Sequence, residues 1–173
     1  MHCLRVFVTS VGLLTVPAKA QVPPDSPVAK TAAALSGSWR GEMTALVPNQ
    51  QPESFPWRVD CTVIALGSGA LCHMSGHASI GPIEQTCLLA YDPGGQAVHY
   101  MCVTSMGEVH DHKGQWRDDQ EIDFEPLKTS MTGQSITETV RINLPGPKSL
   151  KTSSEVTMPD GSTMKFEFVG TRQ

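Results

Sequence analysis

From Ser38 to the C-terminus, turn-forming residues interrupt this chain about every ten residues. The interruptions are Gly67-Ser68-Gly69, Ile80-Gly81-Pro82, Asp92-Pro93-Gly94-Gly95, Ser105-Met106-Gly107, Asp118-Asp119, Pro145-Gly146-Pro147 and Pro159-Asp160-Gly161. No stretch between them repeats apolar residues at helical spacing. Segments this short and this rich in β-type residues must fold back on one another as antiparallel strands. The expected strands are Ser38–Val47, Trp57–Leu66, Ala70–Ala78, Ile83–Tyr91, Ala97–Thr104, Glu108–Trp116, Glu121–Lys128, Ser135–Asn143, Leu150–Met158 and Thr163–Thr171. An all-β, up-and-down antiparallel barrel of about ten strands follows, because closure removes the unpaired edges of an open sheet. An open sandwich is the structural alternative. Ahead of the barrel, the Ala-rich segment Val28–Leu35, stopped by Ser36-Gly37, predicts one short helix.

The first twenty residues have a different character. Arg5 precedes an almost uncharged apolar run, Val6–Val16, and Ala18 and Ala20 form the small-x-small pattern read by a signal peptidase. The run is too short to span a bilayer. The expected organisation is a signal peptide over residues 1–20, a leader and short helix over 21–34, and a barrel domain over 35–173. Cleavage would remove Cys3 and leave Cys61, Cys72, Cys87 and Cys102, an even set suited to disulfides in an exported protein. The expected location is a periplasm or the extracellular space. The chain's 173 residues, 39% of them hydrophobic, suffice for one domain with a core. A net charge of −4 argues against nucleic acid as a partner. No later apolar run is long enough for membrane insertion as a helix.

Gly37-x-Trp39-x-Gly41 opens the first strand after a short helix, as in lipocalin-like barrels, and Arg172 stands where such barrels stack a basic side chain on that Trp. The series continues with Tyr91-Asp92-Pro93, Tyr100, Ser105-Met106-Gly107, Gly114-x-Trp116 and Asp160-Gly161. Over Leu35–Arg172 the chain resembles the bacterial domain of unknown function 1579. The resemblance implies a lipocalin-like or fatty-acid-binding-like (calycin-like) barrel, often exported, with structural roles for Trp39 and Arg172. It assigns no activity.

Two groups of residues carry potential chemistry. Cys61 and Cys72 flank one hairpin turn and Cys87 and Cys102 the next, so disulfides Cys61–Cys72 and Cys87–Cys102 are favoured among three connectivities. A thiolate metal cluster competes, without a C-x-x-C knuckle to support it. Among the histidines, His110-x-His112 puts two imidazoles on one face of a strand. A turn at Ser105-Met106-Gly107 is expected to bring His99 opposite or diagonal to them, giving a ligand set of His99, His110 and His112 for Zn, Cu or haem. Glu108 shares the face of His110 as a carboxylate ligand or base. Solvent-facing polar positions are the competing reading of all these residues.

The acidic run Asp118, Asp119, Glu121, Asp123, Glu125 alternates with apolar residues, as a solvated strand face does, and lacks a calcium-loop pattern. No G-x-S-x-G elbow, P-loop or dinucleotide fingerprint is present, so no catalytic residue stands out. Scattered methionines suit a core or an adaptable pocket. The leading functional expectation is an exported barrel holding an apolar or amphipathic small molecule in its interior. The alternatives are a metal- or haem-binding barrel, even an enzyme, and an envelope protein without ligand.

Overall fold

The computed structural model describes residues 23–173. The expected signal peptide lies outside the described residues. One helix, α1 (Pro27–Leu35), precedes β1 (Gly37–Leu46), β2 (Glu53–Ile64), β3 (Gly69–Ala78), β4 (Gly81–Asp92), β5 (Ala97–Thr104) and β6 (Val109–Trp116). There follow β7 (Glu121–Phe124), β8 (Leu127–Met131), β9 (Gln134–Gly146), β10 (Ser149–Thr157) and β11 (Thr163–Arg172). Each of β1 to β6 pairs antiparallel with its sequence neighbours, β11 returns to β1, and β9 pairs with β10 to close the barrel. Strands β7 and β8 lie end to end along β9 and act as one stave, so the barrel has ten. The break falls at Glu125-Pro126, where proline has no N–H to give a ladder. It leaves the β6–β7 ladder confined to the pairs Gly114–Phe124, Gln115–Asp123 and Trp116–Ile122.

The sequence signals act as read. Ser26 caps α1 by accepting from the Ala29 amide at 3.3 Å, Pro27 occupies the first turn, and Val28, Thr31, Ala32 and Leu35 form its buried face. Asp92 accepts from the amides of Gly94 and Gly95, each at 2.9 Å, and fixes the β4–β5 turn.

Helix α1 lies across the barrel end where β1 begins and β11 finishes. Trp39 is fully buried there and donates its indole N–H to the Leu35 carbonyl at 2.8 Å. The Arg172 guanidinium sits 4.3 Å from the Trp39 ring centroid and donates to the carbonyls of Ala34, Ser36 and Pro147. The surrounding glycines have specific work. Gly37 adopts φ +119°, and a Cβ on Gly41 would come within 1.9 Å of the Val169 carbonyl oxygen. Leu89, Val98, Ile122, Leu150 and Phe168 fill this end. The opposite end has no covering helix among the described residues.

Candidate functional site

Strict alternation on β5 and β6 decides which side chains enter the barrel. Val98, Tyr100 and Cys102 on β5, and His110, His112 and Gly114 on β6, are interior and buried. Cys61, Cys72, Cys87 and Cys102 are successive register partners across β2 to β5, and the row continues to His110 on β6. Disulfides join Cys61 to Cys72 and Cys87 to Cys102.

The interior arrangement corrects one expectation. His99 pairs with Lys113 rather than His112, and its ring meets Asp111 at 3.0 Å on the outer face. The turn is closed symmetrically about Met106 by Thr104 and Glu108, which sets this register. A one-residue difference in register turns a side chain to the other side of the sheet. His99 therefore does not join His110 and His112. His73, bonded to Thr86, and His77 are also exposed on the outside.

The third member of the interior cluster is Glu138 on β9. Its Oε2 lies 2.8 Å from His110 Nδ1 and 3.2 Å from His112 Nε2, and its Oε1 accepts from Ser154 Oγ at 2.6 Å. The two ring nitrogens are 3.3 Å apart. His112 is the deeper, 1% exposed, with Phe124 at its ring edge. Glu108 stands nearer the open end and accepts from Thr104 Oγ1 at 3.1 Å. Sequence spacing does not reveal Glu138, which is remote from the His pair. The signal was the inward row Ile136, Glu138, Val140, Ile142, in which a carboxylate interrupts an apolar series.

Electrostatics binds this cluster together. Burial works against the Glu138 carboxylate, yet hydrogen bonds from His110, His112 and Ser154 outweigh it and hold its pKa at about 2. Burial likewise opposes charge on His110, but the Glu138 bond and the charges of Glu138 and Glu108 raise its pKa. Burial raises the Glu108 carboxyl against the opposing pull of Thr104 and His110. The Tyr100 phenol, raised by burial and then by Glu138, stays neutral.

A pH dependence follows for chelator-treated protein. Stability from Glu138 is complete above its free value of 4.5 and is lost as pH falls through about 2. Stability from His110 is complete below its free value of 6.5 and is lost as pH rises through the raised value. The stability difference between wild type and Glu138→Gln should peak between pH 4.5 and 6.5 and shrink on either side. Glu108 acts oppositely, destabilising as it ionises, chiefly through its burial, which both proteins share. Urea unfolding across pH measures this, and a flat difference contradicts it.

Beside the cluster is a cavity of about 160 Å³. Met43, Phe55, Trp57, Met74 and Phe166 form much of its apolar wall, and His110, Glu138 and Glu108 contribute its polar part. Met106 and Met131 also line it. The acidic run lies elsewhere: Asp118 accepts from the amides of Gln120 and Glu121, and Arg141 pairs with Glu121 and Asp123.

No protein-family profile matches the chain, and no curated relative was found. Solved structures show the fold. Rv2717c from M. tuberculosis superposes with a TM-score of 0.64 at 18% identity, covering 86% of this chain and 98% of the other. The S-type phycobiliprotein lyase CPES from Guillardia theta gives 0.61 at 13% identity, covering 86% and 94%. The fold shared with these structures is a closed antiparallel barrel of ten staves with one short helix at the N-terminal side. The similarity to domain of unknown function 1579 finds no independent match.

Proposed function

We propose that this protein is an exported barrel that binds a small amphipathic molecule in its interior. The observation that carries this reading is the asymmetry of the barrel contents. One end is packed solid around Trp39 beneath α1, whereas toward the other end the interior holds a cavity walled by adaptable methionines and aromatics. The cavity's 160 Å³ matches the size of space that accepts a benzene-sized guest, so the ligand has on the order of six to ten heavy atoms. Its apolar body would lie against Phe55, Trp57 and Phe166, and its polar end would meet His110 and Glu138. Two disulfides support an oxidising compartment, and export accords with the signal-peptide reading of residues 1–20.

Trp57 in the cavity wall provides the test. Titration with 1-hexanol or hexanoate should change its fluorescence saturably at 1:1 stoichiometry. Val140→Phe, which adds bulk to the same wall, should weaken binding at least about tenfold. A change that never saturates, or one indifferent to Val140→Phe in a folded variant, contradicts interior binding.

A further inference from the structure

Three side-chain atoms in the barrel interior converge on one point. His110 Nδ1, His112 Nε2 and Glu138 Oε2 are separated by 2.8, 3.2 and 3.3 Å. Nitrogen and oxygen ligands at zinc distances of about 2.0–2.1 Å sit about 3.3 Å apart on a tetrahedron. The three atoms therefore already have the spacing of one face of a first-row metal's coordination shell. Their nearly equilateral triangle does not suit the square arrangement that Cu²⁺ favours, in which one separation would be a long diagonal.

The neighbouring groups fit the same reading. Ser154 holds Glu138 through Oε1, which leaves Oε2 directed at the histidines. Hydrogen bonding within the cluster leaves His110 Nε2 and His112 Nδ1 buried without a partner. An ion drawing on His110 Nδ1 and His112 Nε2 puts a proton on each of these outer nitrogens. Glu108, two residues from His110 on the same interior face, carries a buried and unpartnered Oε1. A shift of its side chain to accept from His110 Nε2 would orient that ring, a common support for a metal-bound imidazole.

We propose that His110, His112 and Glu138 form a binding site for a divalent first-row metal ion, zinc first, on the wall of the cavity. Two neutral imidazoles and one carboxylate leave the ion with a net positive charge. His110 and Glu138 both line the cavity, so a remaining coordination position faces it and would take water or an oxygen donor of an entering ligand. The proposal goes beyond interior binding of an amphipathic molecule and does not depend on it.

The test is a titration of the chelator-treated full-length protein with Co²⁺ as a spectroscopic stand-in for Zn²⁺. The expected result is a visible absorption band that saturates at one equivalent and is abolished by one equivalent of Zn²⁺. Glu138→Gln should weaken Co²⁺ binding roughly 100-fold or more, and Ser154→Ala, which only loosens the carboxylate, about tenfold. Far-UV circular dichroism of the same samples reports whether each variant keeps its fold. Absence of a saturable band in wild-type protein overturns the proposal. So does unchanged Co²⁺ affinity in Glu138→Gln. A wild type that responds to hexanol but never binds Co²⁺ removes the metal site and leaves interior binding standing, and the reverse pattern does the opposite.

Discussion

Reduction of both disulfides is expected to lower the unfolding free energy by about 6 kcal/mol, roughly 3 kcal/mol for each loop released. The linked cysteines are 11 and 15 residues apart, so the two closures restrain the unfolded chain to a similar extent. A domain of this size is typically stable by only about 5–15 kcal/mol, so the loss is a large share of the total. The pairing has a structural reason. Cα atoms of the bonded pairs are 4.1 and 4.2 Å apart, the narrow spacing of non-hydrogen-bonded positions in an antiparallel ladder. Cys72 and Cys87 also face each other in register, but the backbone groups of Cys72 that turn away from β2 turn toward β4, which makes this the wide, hydrogen-bonded position. The sulfurs are buried, so reduction is done in denaturant, and urea unfolding is then compared with the oxidised protein. Coincident unfolding curves would contradict the expectation.

Trp39→Ala is expected to cost about 3–5 kcal/mol, the range for emptying a large aromatic from a closed core. The indole joins three parts of the chain: it receives β1, bonds to the last residue of α1 through Leu35, and carries Arg172 of β11 on its face. Trp39→Phe separates these contributions. It retains most of the packing but loses the bond to Leu35 and part of the cation–π contact, for about 1–2 kcal/mol. Equal unfolding midpoints for wild type and Trp39→Ala would show that this end of the barrel does not depend on its plug.

The barrel was legible because its information is local. Gly67-Ser68-Gly69 and Asp92-Pro93-Gly94-Gly95 make the turns they signal, and the hairpins around them bring each cysteine to its partner. The Gly37-x-Trp39-x-Gly41 motif was legible for the same reason, since a left-handed glycine, a plugging indole and a close backbone approach have distinct residue requirements. The interior cluster was only half legible. His110 and His112 share a strand, so period-two alternation groups them without further knowledge. Assigning His99 required the register across a turn, and one residue separates a ligand from an outward ring bonded to Asp111. Glu138 enters through the closure of β9 around the Pro126 break, a long-range relation that neighbouring residues do not encode. Pro126 itself was visible in the sequence, but read within one strand, Glu121–Lys128, that folds as two.

Native mass spectrometry of protein purified from its own compartment tests whether the barrel interior holds a small molecule. Interior binding predicts a folded species heavier than the bare chain by one compact organic molecule, which disappears on denaturation and is depleted in Val140→Phe. A folded species at the bare chain mass, with no saturable response to 1-hexanol or hexanoate, would contradict interior binding.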